Sequence, residues 1–118
     1  MNFGERIREL RKARALTQRT LAEKLGVDFT YLSKIENGRL DQPPSEKLIR
    51  RMAEVLGAPP EELLDLSGQF DPKALQDVVA DIPEAGVLLR RLQYRQLPRE
   101  RIKQILRELQ ESYETDQE

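Results

Sequence analysis

The stretch from Thr17 to Arg39 is cut twice where a helix would otherwise continue, once at Gly26 and again at Asn37-Gly38. A glycine just past a helix takes the left-handed conformation without penalty, so each cut reads as a helix end. Thr17 and Asp28 stand where N-caps belong, because their side-chain oxygens can accept from the free N–H groups of a first turn. Leu21, Ala22 and Leu25 give the first of these short helices its inward stripe, and Leu32 and Ile35 give the second its own. Two short helices that cross steeply need a small side chain at the contact, a glycine in the turn, and apolar residues that pin the second helix to the first. Ala22, Gly26, Leu32 and Ile35 are that set. Leu, Ala and Gly at helical spacing also occur in ordinary bundles, and at this point both readings stand.

Helical spacing continues on either side. Phe3, Ile7 and Leu10 predict a helix ending near Arg14. The two prolines of RLDQPPS forbid helix continuation, and Ser45 caps a fourth helix with Leu48, Ile49, Met52, Val55 and Leu56 inward and Gly57 at its end. Pro60 at a first helical position, with Glu61 and Glu62 complementing the positive helix end, opens a fifth through Leu66. After the polar break SGQFD, Asp71-Pro72 restarts the pattern. Leu75, Val78, Val79 and Ile82 form one stripe, Val87, Leu88, Leu89 and Leu92 a second after Pro83, and Ile102, Ile105, Leu106 and Leu109 a third after Pro98. Strand signals are missing. The expected fold is all-α, with five helices in a domain over residues 1–67 and a small three-helix region over 68–118.

Nothing obvious in that last region is large enough to bury three apolar faces, which raises the possibility of a partner chain. A tail folded back on its own first domain is the alternative. The acidic end YETDQE is expected to fray.

Cysteine and histidine are both absent, which removes disulfides, thiolate nucleophiles, imidazole bases and the common zinc and iron sites. Ser45 and Ser67 would lack a histidine to activate them, and capping accounts for both. With no glycine-rich phosphate loop and no acid pair with a supporting base, neither catalysis nor a cofactor nor a metal is expected. The N-terminus MNFGERIREL carries charges where a signal peptide needs its apolar centre, and no 18-residue apolar run exists. A cytoplasmic protein without a membrane span is expected. Residues 1–57 hold 12 Lys and Arg against 8 Asp and Glu, whereas residues 58–118 hold 8 against 13. The front half suits a polyanion better than the back half does, unless the charges merely follow solvated helix faces.

The segments LTQRTLAEKLGV and YLSKIENGR resemble those of the lambda-repressor-like, or XRE-type, helix-turn-helix DNA-binding proteins, over roughly residues 3–67. The resemblance implies that the helix after Asp28 reads the major groove of double-stranded DNA, where base edges differ. It places base contacts on Phe29, Thr30 and Lys34, with Tyr31 close by. Lys34 can donate to guanine O6 and N7, and Thr30 can meet a thymine methyl or a hydrogen-bonding edge. Phe29 departs from the polar residue many relatives carry; it touches a thymine methyl or it packs. The Tyr31 hydroxyl is open to a phosphate or to packing in the same way.

The resemblance implies a phosphate contact at Gln18, with Arg19, Asn37 and Arg39 as further candidates. A carboxylate on a DNA-facing element would repel phosphate, but the family pairs this position with an arginine on the first helix, here Glu36 with Arg11. Two exposed charges are the plain alternative. Specificity in this class usually comes from two units on adjacent half-sites, and Leu89, Leu92, Leu97, Ile102, Ile105, Leu106 and Leu109 are the candidates for joining them into a homodimer. The expected function is a dimeric, sequence-specific transcriptional repressor. The alternatives are an antitoxin or mobile-element immunity repressor controlled by a regulatory protein acting on residues 68–118, and an interaction module that has lost DNA binding.

Overall fold

The computed structural model describes the backbone of residues 1–117 and side chains through Ser112. The expectation for YETDQE falls on residues 113–118, whose side chains all lie outside that description. The described residues contain helices and no strand, and the chain divides into two compact units, Met1–Phe70 and Asp71–Glu118.

The N-terminal unit holds α1 (Phe3–Ala13), α2 (Gln18–Leu25), α3 (Phe29–Glu36), α4 (Glu46–Leu56) and α5 (Pro60–Ser67). Thr17 Oγ1 accepts the Thr20 N–H at 3.1 Å and Ser45 Oγ accepts the Leu48 N–H at 3.2 Å, so both side chains cap as their positions predict. Asn2 adds a capping box: its side chain accepts from the Glu5 N–H while the Glu5 carboxylate accepts from the Asn2 N–H. Asp28 differs from expectation. It occupies the N-cap of α3 with extended backbone, but its carboxylate accepts no first-turn N–H; the position is exposed, and water can satisfy those groups instead.

Each helix contributes to one core. Ile7, Leu21, Leu32, Ile49, Met52 and Leu63 are sealed from solvent, with Ala22, Leu25, Ile35, Ala53 and Leu56 packed among them. Two contacts are tighter than side-chain packing. Ala22 is buried where α2 meets α3, and its carbonyl accepts the Val27 N–H at 3.0 Å as Gly26 turns the chain at φ 71°. At Gly4 a methyl group would stand 2.5 Å from the Ile35 carbonyl oxygen and 2.7 Å from that of Glu36, so main chain meets main chain.

The C-terminal unit holds α6 (Pro72–Asp81), α7 (Pro83–Gln93) and α8 (Arg99–Gln117). Asp71 caps α6 through the Lys73 N–H at 3.0 Å. Ile82 ends α6 and precedes α7 directly, and Val79 of α6 packs beside Gly86 of α7. None of its described side chains is buried. Leu89, Leu97, Ile102 and Ile105 are half-covered, while Leu92, Leu106 and Leu109 remain 42%, 59% and 61% exposed.

Candidate nucleic-acid interface

Leu32, Ile35 and Glu36 pin one side of α3, and this decides what the other side shows. Phe29, Thr30 and Lys34 are exposed along it. Tyr31 is half-buried, its ring packed on the core, which gives the packing reading of this residue its physical basis. Phe29, for which packing or a thymine methyl stood as alternatives, keeps 40% exposure, with the Arg19 guanidinium 5.3 Å from the ring centroid. A cation over an aromatic face is attracted by the ring quadrupole, so Arg19 and Phe29 hold each other across the start of the two helices. That pairing carries no signal in the sequence, because nine intervening residues of helix and turn bring the two together.

Glu36 is the organising group. Its side chain is fully buried and meets Arg11 as a fork, Nε to Oε2 at 2.8 Å and Nη2 to Oε1 at 3.0 Å. Gln18 donates its side-chain amide to Oε1 at 3.1 Å, and Arg8 Nε approaches the same oxygen at 3.4 Å. Burial pushes this carboxyl up, but hydrogen bonds from Arg11 and Gln18, the Arg11 charge and the Arg8 hydrogen bond outweigh it and hold the acid below the usual carboxylate range. Arg11 also donates to the Leu16 carbonyl at 2.9 Å, tying the α1–α2 turn to the same cluster. Of the two readings left open for Arg11 and Glu36, the buried pair is the one the structure contains.

Two of the remaining phosphate candidates, Gln18 and Asn37, touch this cluster. The Gln18 amide is partly engaged by Glu36, and the backbone N–H groups at the start of α2 remain free apart from Thr20, which Thr17 caps. A helix N-terminus with free N–H groups favours an anion. Asn37 is more occupied than its sequence position suggests: its Nδ2 donates to the Ser33 carbonyl at 2.9 Å and its Oδ1 accepts from Arg8 Nη2 at 2.8 Å. Arg39 is exposed beyond the end of α3. Arg8 was not legible as part of this face, since it lies on α1 and more than twenty-five residues separate it from both partners.

Among the described residues no group of three or more His, Cys, Asp or Glu could hold a metal ion, and no helix is long and apolar enough to cross a membrane. Two short helices joined by a glycine turn, the second pinned on one side and open on the other, define a helix-turn-helix unit. A family model described as a helix-turn-helix domain matches residues 2–66. The chain belongs to this family, in its lambda-repressor-like, XRE-type form.

It is 42% identical over 68 residues to the uncharacterized HTH-type transcriptional regulator RghRB of Bacillus subtilis (strain 168), covering 58% of this chain and 48% of that one. It is 34% identical over 91 residues to the HTH-type transcriptional regulator SinR of Bacillus subtilis (strain 168), covering 72% of this chain and 80% of SinR. The chain thus spans about half the length of RghRB and four-fifths of SinR. A solved SinR protein/SinI protein complex matches with a TM-score of 0.52 at 25% identity, covering 96% of this chain and 98% of that one.

Proposed function

We propose that this chain is a sequence-specific DNA-binding transcriptional regulator that acts as a dimer and represses by occupying its site. It performs no catalysis; the relatives it matches carry the names of regulators. The observation that supports this reading is the asymmetry of α3, pinned by Leu32, Ile35 and Glu36 and open at Phe29, Thr30 and Lys34. Such a helix fits the major groove, with Lys34 and Thr30 reading base edges and Phe29 offering its free ring edge to a thymine methyl. The start of α2, Asn37 and Arg39 meet flanking phosphates and fix the register. Arg19 both steadies Phe29 and brings a charge to that edge.

Two copies are needed because one such unit covers few base pairs. The open faces of the C-terminal unit, Leu92, Leu106 and Leu109 with half-covered Leu89, Leu97, Ile102 and Ile105, suit that joint. A second reading has an observation of its own: the likeness that spans nearly the whole chain is to a regulator solved together with another protein. On this reading a regulatory protein competes for the same faces.

The test is selection of bound duplexes from a random pool by the full chain, repeated with Lys34→Ala and with residues 71–118 removed. An inverted repeat with half-sites about one helical turn apart, relaxed at particular positions by Lys34→Ala and bound more weakly after truncation, is the expected result. No enriched motif at low salt would leave the protein-interaction reading in its place.

A further inference from the structure

Arg8 carries a charge that the Glu36 cluster does not consume. Arg11 already meets Glu36 as a two-point fork, at 2.8 and 3.0 Å, and that pair is electrically closed. Arg8 approaches Glu36 Oε1 only at 3.4 Å and makes its shorter bond, 2.8 Å, to the neutral Asn37 Oδ1. Two guanidinium groups thus face one carboxylate, and the surplus positive charge sits on the outer one, whose side chain is 39% exposed. A guanidinium has five N–H donors, so these two bonds leave others free for solvent or a ligand.

Its position matters as much as its charge. Gln18, the first residue of α2, donates its side-chain amide to the same Glu36 oxygen at 3.1 Å, so Arg8 and Gln18 meet at one carboxylate oxygen. Asn37, held by Arg8 on one side and by Ser33 on the other, closes the far end of α3.

We propose that Arg8 is a DNA-phosphate contact and the positioning residue for Asn37, extending the interface from α2 and α3 onto α1. The inference rests on the reading of this face as a DNA interface. A phosphate at the start of α2 meets backbone N–H groups, the Gln18 amide and the Arg8 fork together. Being a backbone contact, Arg8 adds affinity at every sequence and discriminates among none.

The experiment measures binding of the full chain to the duplex that it enriches, across a salt series, for the wild type, Arg8→Ala, Arg8→Gln and Arg8→Lys. Arg8→Ala is expected to weaken binding about tenfold near 0.1 M salt and to lower the slope of log K against log salt by about one, with the preferred motif unchanged. Arg8→Gln, which keeps a donor for Asn37 without the charge, shows the same loss of slope and serves if the alanine variant does not fold. Arg8→Lys keeps the slope but loses affinity, because an ammonium cannot bridge Glu36 and Asn37 as a planar fork does. A wild-type slope in Arg8→Ala and Arg8→Gln, with or without a lower melting temperature, overturns the proposal and leaves the DNA reading intact. Failure of the wild type to enrich any duplex overturns both.

Discussion

The two units are built from the same material and reach opposite ends. Both are chains of capped amphipathic helices, yet the N-terminal one seals residues from Ile7 to Leu63 away from water, while the C-terminal one buries none of its described side chains. Amphipathic pattern therefore specifies which face of a helix seeks cover, and the number and placement of neighbouring helices decide whether it finds any. Five short helices packed on one another can enclose a centre; two helices in a hairpin and one long helix have too few inward directions to do so. A unit with its own core is suited to holding a rigid surface, and a unit without one is suited to meeting another chain.

The largest test of that contrast is to separate the units. Residues 1–70 are expected to melt as one cooperative transition at any protein concentration, whereas residues 71–118 gain helical circular dichroism only as concentration rises. A concentration-independent, cooperative melt of the second fragment would abolish the contrast. Within the full chain, Leu32→Ala is expected to cost about 2–5 kcal/mol in denaturant unfolding. Leu106→Ala, at an exposed position, should move the unfolding of a dilute sample by less than about 0.5 kcal/mol while weakening self-association in sedimentation.

Glu36→Gln tests the polar part of the core and is expected to cost about 3 kcal/mol, since it leaves Arg11 buried beside a neutral partner. The wild type supplies the matching pH dependence. A carboxyl whose folded value is depressed stabilises fully above its unfolded value, near 4.3, and loses that contribution as pH falls toward the folded value. Stability should fall with acid below about pH 4.3 in the wild type, and less steeply in Glu36→Gln. Two turns of one design test the backbone. Ala15 and Arg95 each stand at φ 55° just past a helix, where the next residue's N–H returns to the carbonyl five residues back. Ala15→Gly should stabilise by about 1 kcal/mol in thermal unfolding. Arg95→Gly should shift the same transition by less, if the C-terminal unit contributes little to it.

What the sequence displays and what it hides follow the same divide between local and distant contacts. Helix ends are local: Thr17, Gly26, Ser45, Gly57 and Asp71 mark theirs by residue type, and each stands at the end it marks. The capping box at Asn2 was equally readable as Asn-x-x-Glu ahead of an apolar stripe. The turn at Ala15 was not, because alanine in a left-handed turn bears none of glycine's mark. Asp28 carried the right residue type and makes no cap bond.

At the candidate interface, α3 and its pinned residues could be read from spacing, whereas the pairing of Arg11 with Glu36 came only through family likeness. Arg19 over Phe29, and Arg8 on Asn37, are tertiary contacts between residues that no period or spacing relates. The charge imbalance between the halves likewise gave direction without address: it favoured the front half for a polyanion and said nothing of which cations face it.

The missing side chain at Gly4 has one further consequence. Because α1 touches the last turn of α3 through carbonyl oxygens, the seat of α3 is fixed by atoms common to every sequence. Exchanging Phe29, Thr30 or Lys34 rewrites what the helix presents without moving its mount. On the proposed reading of this face, target choice and architecture are then heritable apart, so a descendant of this chain can learn a new address one residue at a time while standing on an unaltered foundation.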